Sequence, residues 1–280
     1  MDLGTFGIWT SYRSIGEKNA GEAARLIEEL GYGTVWLGGS PQVPALRPLL
    51  AATERLVAAT GILNVWRSDP AQVAADFAAL AAEFPGRVLL GIGIGHPEAQ
   101  GEYTKPLTAM RGFLDGLDAA PTPVPQDARC LAALGPKMLA LAAERTLGSH
   151  TYFVPAEHAR VARSGLGAGA LLAPEMACVV DENASRARAA ARRYAELYLG
   201  LSNYTNNLLR TGFTAADIAD GGSDRLIDTV IPHGSAAAIA AAAREHLACG
   251  ADHVCLQTVG VRGVPRAEWT ALAGALELGH

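Results

Sequence analysis

The chain alternates short apolar segments with amphipathic ones eight times, and this alternation restricts its fold more than any other feature. The apolar segments have the length of buried strands, and the segments between them carry apolar residues at helical spacing. Strands are predicted at residues 3–9, 34–37, 58–65, 87–95, 129–134, 150–154, 175–180 and 253–258. Helices are predicted at residues 17–30, 43–55, 70–84, 106–119, 136–146, 155–164, 183–199, 235–248 and 266–278.

Strand–helix alternation predicts a parallel α/β sheet with helical crossovers. Eight repeats in 280 residues favour a closed (β/α)₈ TIM barrel, with an open Rossmann-like sheet as the alternative. The polar, glycine-rich stretch at residues 202–228 predicts a helical insertion between the seventh and eighth strands, at about residues 200–232. Nothing in the composition marks a domain boundary, so we expect one domain over residues 1–280.

The composition and residue patterns exclude several kinds of binding partner. The net charge is −5 and no basic stripe stands out, so nucleic acid is not expected. No apolar run approaches the roughly 20 residues needed to cross a bilayer, so a membrane is not expected either. The four cysteines form no C-x-x-C pair and no signal peptide precedes the first strand, which predicts reduced thiols in the cytoplasm. No histidine or cysteine spacing typical of a metal site occurs, so no metal is expected.

In a barrel of this kind, the reactive face lies where the strands end and the following loops begin. Gly91, Gly93 and Gly95 alternate along the predicted fourth strand and would face the same side. Three glycines on one face leave a flat wall against which a planar ring fits. Tight packing between layers of the barrel is the alternative explanation.

The segment Gly135-Pro136-Lys137 joins the fifth predicted strand to a helix. Proline suits the first helical position, and the N–H groups at a helix start bind phosphate. The charge of Lys137 would add to this, although an ordinary turn is the alternative. A Schiff-base lysine at Lys137 or Lys105, as in an aldolase, is a remote option because neither lies in a strand.

Five segments resemble the luciferase-like monooxygenase superfamily, and within it the oxidoreductases that use the deazaflavin coenzyme F420. They lie at residues 29–36, 60–66, 86–96, 133–139 and 250–255, in the family's order and over nearly the whole chain. The resemblance implies a (β/α)₈ barrel with an insertion before the last strand and a cofactor ring across the strand ends. It also implies that relatives commonly form homodimers.

The resemblance assigns roles to residues of this chain. The cofactor phosphate maps onto Gly135, Lys137 and Met138. A non-proline cis peptide, which the family often has at the end of the third strand, falls within the segment Gly61, Ile62, Leu63 and Asn64. Together with Trp9 and the glycines of the fourth strand, these residues are the predicted cofactor contacts.

The chain departs from the family at the second strand, where relatives frequently place a histidine or glutamate near the reactive ring carbon. This sequence has Gly38 and Gly39 there. The substitutes predicted as catalytic residues are His96, Trp66, Tyr12 and His150, with His96 polarising or protonating the substrate. A structural, hydrogen-bonding role is the alternative for each histidine.

The expected function is an F420-dependent oxidoreductase that moves a hydride between the deazaflavin and a small organic substrate. One alternative is a two-component monooxygenase that uses FMN, oxygen and a partner reductase. Another is a flavin- or deazaflavin-binding protein without catalysis, which the missing side chain at the second strand suggests.

Overall fold

Parallel strands close into a barrel in the computed structural model, which describes residues 1–99 and 105–279. The strands are β1 (Phe6–Thr10), β2 (Thr34–Gly38), β3 (Val57–Gly61), β4 (Leu63–Asn64), β5 (Val88–Gly93), β6 (Arg129–Ala132), β7 (Gly148–His150), β8 (Leu171–Leu172), β9 (Glu175–Val180), β10 (His233–Gly234) and β11 (Val254–Thr258). β3 and β4 form one barrel strand interrupted at Ile62, and β8 and β9 form another interrupted at residues 173–174.

The sheet order runs from β11 through β1, β2, β3, β5, β6 and β7 to β8. The ring closes because the strand containing β8 and β9 pairs on both edges. Its N–H groups at Ala173 and Glu175 donate to the carbonyls of Ser149 and Thr151 beside β7. On the other edge, β9 pairs with β11 in the register Glu175 to Cys255. The predicted (β/α)₈ barrel is therefore confirmed.

Helices cover the outside of the barrel. They are α1 (Tyr12–Ile15), α2 (Ala20–Glu29), α3 (Arg47–Leu50), α4 (Pro70–Glu83), α5 (Pro106–Asp118), α6 (Pro136–Arg145), α7 (Glu157–Leu166), α8 (Ala184–Leu199), α9 (Ser202–Arg210), α10 (Ala215–Ile218), α11 (Asp224–Val230), α12 (Ala236–Ala248) and α13 (Arg266–Leu276). The predicted helical insertion between the seventh and eighth barrel strands is present as α9, α10 and α11.

Several predicted boundaries were wrong. The helix expected at residues 43–55 is a 3₁₀ turn at Val43–Leu46 followed by the four residues of α3, because Pro44 and Pro48 carry no amide hydrogen. β5 ends at Gly93 rather than residue 95, since Gly95 turns into the left-handed region with φ of +69°. The sixth strand lies at Gly148–His150 rather than residues 150–154.

The barrel interior contains polar aromatic side chains as well as apolar ones. The indole of Trp36 stacks on the imidazole of His150, with ring centres 4.2 Å apart, and its Nε1 donates to His253 Nε2 at 3.3 Å. His253 Nδ1 in turn donates to the carbonyl of Gly4 at 2.7 Å. All four cysteines are buried and unpaired. Among the described residues, every helix is too short or too polar to cross a membrane.

Candidate functional site

A cavity of about 570 Å³ opens at the C-terminal ends of the barrel strands, where the reactive face was expected. It is bounded by the ends of the strands, the start of α6 and the insertion. The side chains and glycines that line it are Trp9, Gly39, Ser40, Gly61, Ile62, Asn64, Arg67, Gly93, Ile94, Gly95, His96, Ala132, Ala133, Leu134, Gly135, Met138, His150, Tyr152, Tyr198, Asn203, Tyr204, Asn206 and Arg210.

The glycines in and directly after β5 have two different roles. Gly93 and Gly95 line the cavity, as predicted, whereas Gly91 lies below it. A Cβ atom at Gly91 would overlap the carbonyl group of Thr60 and would also lie 3.2 Å from the Trp36 ring. Gly91 therefore permits close packing of neighbouring strands, which is the alternative explanation that the sequence left open.

The bulge between β3 and β4 lies directly beside Gly93. The peptide bond between Gly61 and Ile62 is cis, within the segment that the family resemblance indicated. A Cβ atom at Gly93 would overlap the Ile62 side chain. Asn64 lies at the end of the same segment, and its Oδ1 accepts a hydrogen bond from the Trp66 amide at 3.0 Å. The cavity wall here consists of backbone and a branched apolar side chain.

Trp9 occupies the place of the side chain that the second strand lacks. A Cβ atom at Gly38 would overlap the six-membered ring of the Trp9 indole. The indole is tilted against the Tyr152 ring, with centroids 5.3 Å apart. Trp9 Nε1 is buried and has no hydrogen-bond partner among the described residues. Because a buried donor without a partner is costly, a ligand oxygen at this position would stabilise the site.

His150 sits at the end of β7, is almost fully buried and has a fixed tautomer. Its Nδ1 lies 2.8 Å from the carbonyl oxygen of Ala173, which only accepts, so Nδ1 carries the hydrogen. Burial lowers the pKa of His150 to about 4, which leaves the ring neutral at pH 7. Its Nε2 has no partner among the described residues and is a second unpaired polar atom on a residue that lines the cavity.

His96 follows β5 and is held by the insertion. Its Nδ1 lies 3.0 Å from Oδ1 of Asn203, the second residue of α9, and its ring packs against Tyr204 with centroids 5.2 Å apart. Two residues later, the Glu98 carboxylate accepts the amide hydrogen of Ser202 at 2.9 Å. The loop after β5 is therefore joined to the start of α9 at two points.

The start of α6 contributes another part of the cavity wall. Gly135 precedes the helix with no side chain over its first turn, and Met138 packs one turn further on. An added Cβ at Gly135 would meet nothing within 4 Å, so the backbone here is open toward the cavity. Lys137 is exposed and does not line the cavity, in contrast to the prediction.

The insertion supplies the residues that sequence reasoning missed. Asn203, Asn206 and Arg210 recur at spacings of three and four along α9 and all line the cavity. Their helical spacing was the available signal, but the polar composition of residues 202–228 hid it. Among the described lining residues there is no carboxylate, whereas Arg67 and Arg210 are both cationic. The cavity therefore favours an anionic ligand.

A cluster of tyrosines fastens the insertion side of the cavity to the barrel. The hydroxyl of Tyr152 donates to Gln257 Oε1 at 2.8 Å and lies 2.7 Å and 3.0 Å from the hydroxyls of Tyr194 and Tyr198 on α8. Burial raises the pKa of Tyr152, so these hydroxyls stay protonated at neutral pH. The cluster is a scaffold that presents Tyr152 and Tyr198 to the cavity.

Four further predicted site residues lie outside the cavity, and each has a structural role. Tyr12 donates its hydroxyl to the Ala45 carbonyl at 2.5 Å, and burial raises its pKa to about 12. Trp66 donates Nε1 to the Ile94 carbonyl at 2.6 Å. Leu63 is fully buried in the layer between strands and helices, and Gly91 packs against Thr60. Because neither Tyr12 nor Trp66 lines the cavity, their predicted role as proton donors stays a prediction.

The sequence model of the luciferase-like monooxygenase family matches residues 1–120 of the chain. Two curated relatives match a segment of similar length. An F420-dependent glucose-6-phosphate dehydrogenase of Microbacterium testaceum is 35% identical over 112 residues, covering 35% of this chain and 33% of the relative. One of Nakamurella multipartita is 31% identical over 103 residues, covering 32% and 30%. The match thus spans about a third of the length of these relatives.

Solved structures extend the likeness in fold. An F420-dependent secondary alcohol dehydrogenase in complex with an F420–acetone adduct has a TM-score of 0.76 at 17% identity, covering 98% of this chain and 99% of that one. A coenzyme F420-dependent tetrahydromethanopterin reductase from Methanopyrus kandleri has a TM-score of 0.72 at 16% identity, covering 99% of each. The chain is therefore similar to the luciferase-like monooxygenase family in sequence over residues 1–120 and in fold over nearly its whole length, which confirms the resemblance.

Proposed function

We propose that the protein is an oxidoreductase that uses coenzyme F420 to transfer a hydride to or from a small organic substrate. The observation that carries this proposal is the cavity at the strand ends, bounded by Gly93, the Gly61–Ile62 bulge and the open start of α6. The two curated relatives that match the N-terminal segment are both named as F420-dependent dehydrogenases, which supports the deazaflavin over other cofactors.

The residues present fit such a cofactor. The bare end of β5 and the bulge at Ile62 leave room for a flat ring against the wall that Gly93 and Gly95 form. The unpaired Trp9 Nε1 is a donor suited to a ring or substrate oxygen. The start of α6 and the cations Arg67 and Arg210 suit the phosphate and carboxylates of a deazaflavin tail.

The deazaflavin supplies a ring carbon that accepts or gives a hydride when it is bound. The chain contributes orientation and exclusion of water. Trp9 and Tyr152 form an aromatic wall beside the unpaired indole N–H. His96 and His150 are the neutral imidazoles that line the cavity, each with its Nδ1 hydrogen committed to a protein oxygen, and each therefore offers a lone pair to a substrate hydrogen.

Turnover under anaerobic conditions tests the proposal. The purified protein is mixed with oxidised F420 and a panel of small alcohols, and with reduced F420 and the matching carbonyl compounds, while the deazaflavin absorbance is followed. The proposal predicts turnover with at least one pair and no requirement for oxygen. Replacing His96 with alanine should lower turnover at least tenfold with cofactor affinity nearly unchanged.

The alternatives give distinct outcomes in the same assay. Turnover that needs FMN, oxygen and a reductase would replace the proposal with a two-component monooxygenase, because a deazaflavin ring does not stabilise an oxygen adduct. Tight F420 binding without turnover on any pair would identify a deazaflavin-binding protein without catalysis. The absent side chain at Gly38 is the observation that favours this second candidate.

A further inference from the structure

We infer that a second cavity, which lies in the helical layer between α7, α11 and α12, binds a small aliphatic ammonium ion, with His246 accepting a hydrogen bond from the ligand. This cavity has a volume of about 550 Å³ and shares no lining residue with the cavity at the strand ends. The inference is therefore independent of the proposed function and concerns a different ligand.

His246 is a buried polar side chain on the wall of the second cavity. Only 3% of the residue is exposed, and its Nδ1 has no hydrogen-bond partner among the described residues. A buried polar atom without a partner is costly, so a ligand that binds to it would stabilise the protein. Because no protein group holds Nδ1, the protein does not fix the tautomer, and the ring can turn its lone pair toward a donor.

The charge state of His246 suits a cationic ligand. Burial, and to a smaller extent the neighbouring His158, lowers the pKa of His246 to about 4, so the ring is neutral at pH 7 and does not repel a cation. The other histidine on the wall, His233, already has partners. Its Nδ1 lies 2.9 Å from the carbonyl oxygen of Ile231, and its Nε2 lies 3.4 Å from the Asp228 carboxylate.

The charged side chains of the second cavity are carboxylates. Glu157 at the start of α7, Asp228 on α11 and Glu245 on α12 line it, and among the described residues no lysine or arginine does so. A cleft lined by one sign of charge concentrates ligands of the opposite sign. The second cavity therefore favours a cation, whereas the cavity at the strand ends favours an anion.

The three carboxylates differ in their availability. Glu245 is exposed and forms no ion pair within the part of the chain that the structure describes. Glu157 pairs with Arg160 at 3.1 Å, and Asp228 pairs with Arg188 at 2.7 Å. Ion pairs that are open to solvent contribute little, so these two carboxylates can also interact with a ligand. Glu245 is the principal anionic contact.

The rest of the wall is largely apolar, with Pro155, Pro232, Ala238 and Ala242 among its residues. Such a surface suits methylene groups rather than a hydrated metal ion. The described residues also contain no group of three or more side chains arranged as metal ligands. A linear diamine, with an aliphatic chain between two ammonium groups, matches an apolar wall with carboxylates from three separate helices.

Calorimetric titration with putrescine tests the inference, with butanediol as the uncharged control of the same chain length. We expect saturable binding of the diamine with a Kd of about 1 mM or tighter, and no detectable binding of the diol. In the nitrogen-15 NMR spectrum of the imidazoles, the His246 signal should move during the titration. The signal of His253, which is buried inside the barrel, should not.

Variants at exposed positions locate the bound diamine. Glu245→Gln removes the unpaired carboxylate and should weaken putrescine binding by about twofold to fivefold. Glu196→Gln makes the same change at an exposed position on α8 that lines neither cavity, and should leave binding unchanged. Ala238→Leu fills part of the second cavity from an exposed position and should weaken binding without unfolding the protein.

The inference is overturned if putrescine does not saturate the protein, if butanediol binds equally well, or if the His246 signal stays in place. Equal effects of Glu245→Gln and Glu196→Gln would mean that the diamine is attracted by the net charge of the whole protein, which also contradicts the inference. Competition between putrescine and F420 would place the diamine in the cavity at the strand ends and would likewise exclude the second site.

Discussion

The indole of Trp9 lies over Gly38, so closely that a Cβ atom on Gly38 would overlap its six-membered ring. The glycine at the end of β2 is therefore required by the residue that packs on it, and it is not merely a lost catalytic side chain. Trp9 brings a buried N–H to the edge of the cavity in exchange. An indole N–H donates a hydrogen bond but does not give up its proton near neutral pH, so the proton chemistry must rest on other residues.

Adding a methyl group at Gly38 should destabilise the protein unless Trp9 is shortened. We expect Gly38→Ala to lower the free energy of unfolding by about 1–3 kcal/mol, because the neighbouring indole must move. In a Trp9→Ala background the same change should cost much less. Urea denaturation of the four proteins in this double-mutant cycle gives the coupling energy.

Gly112→Ala is the control for that cycle. Gly112 lies within α5, and an added Cβ there would meet nothing within 4 Å. Alanine in a helix interior should stabilise the protein by about 0.5–1 kcal/mol. If the coupling energy between Gly38 and Trp9 is close to zero, the packing described for these residues is wrong.

Gly91 and Gly93 should respond differently to alanine although they lie two residues apart on β5. Gly91→Ala places a methyl group against the backbone oxygen of Thr60, which cannot move away, and we expect about 3 kcal/mol or more of destabilisation. Gly93→Ala meets the Ile62 side chain instead and should mainly weaken F420 binding, by at least about tenfold.

Replacing Ile62 with alanine in the Gly93→Ala protein should restore part of that affinity. Thermal unfolding separates the two effects, and fluorescence titration measures the binding. The opposite pattern, in which Gly93→Ala unfolds the protein and Gly91→Ala only weakens binding, would mean that the cofactor ring does not lie against Gly93.

The buried histidines should make the protein less stable in mild acid. Burial lowers the pKa of His150, which faces His253 and Cys255, to about 4. The unfolded value is about 6.5, so the unfolded state binds the proton first and stability falls as the pH drops from about 6.5 to 4. One such group contributes about 3 kcal/mol over that range.

Urea unfolding at a series of pH values measures this loss. A His150→Asn protein should lose less stability between pH 6.5 and 4 than the parent, whatever its stability at pH 7. His246→Asn, at another histidine whose pKa burial lowers to about 4, should show a similar reduction. Equal pH slopes for the parent and both variants would mean that these rings are not buried in the neutral form.

Arg210 should attract the anionic part of the cofactor from the insertion. It is exposed, so its contribution is screened by salt. We expect Arg210→Ala to weaken F420 binding by about twofold to fivefold at low ionic strength and by less at 1 M salt. Arg244→Ala removes an exposed arginine on α12, which donates to the Ala275 carbonyl away from the cavity, and should leave binding unchanged.

The barrel and the location of its site could be predicted from the sequence because strand and helix periods are local properties. The absence of side chains at Gly93, Gly95 and Gly135 could also be predicted to open space for a ligand, because it is a local property of the sequence. The packing of Gly91 against Thr60 could not be predicted, because the sequence does not distinguish a glycine that makes room for a ligand from one that makes room for a neighbouring strand. The hydrogen bonds from Tyr12 to Ala45 and from Trp66 to Ile94 were not predictable either, because they form only through the fold.

The contribution of the α9 residues to the site was not predicted from the sequence. Asn203 and Arg210 lie in a segment whose polar composition hides the short apolar face formed by Tyr204 and Leu208. Their approach to His96 depends on how the insertion folds back over the barrel, 107 residues along the chain from that histidine. The helical spacing of these residues is visible in the sequence, but their contact with His96 follows from tertiary packing.

The most direct test of the account is equilibrium titration of the purified protein with F420 and, in parallel, with FMN, followed by fluorescence. We expect F420 to bind in the micromolar range or tighter, FMN to bind clearly more weakly, and Gly93→Ala to lose affinity for F420. If F420 does not bind, or if FMN binds more tightly than F420, the cavity is not a deazaflavin site and the proposed function is wrong.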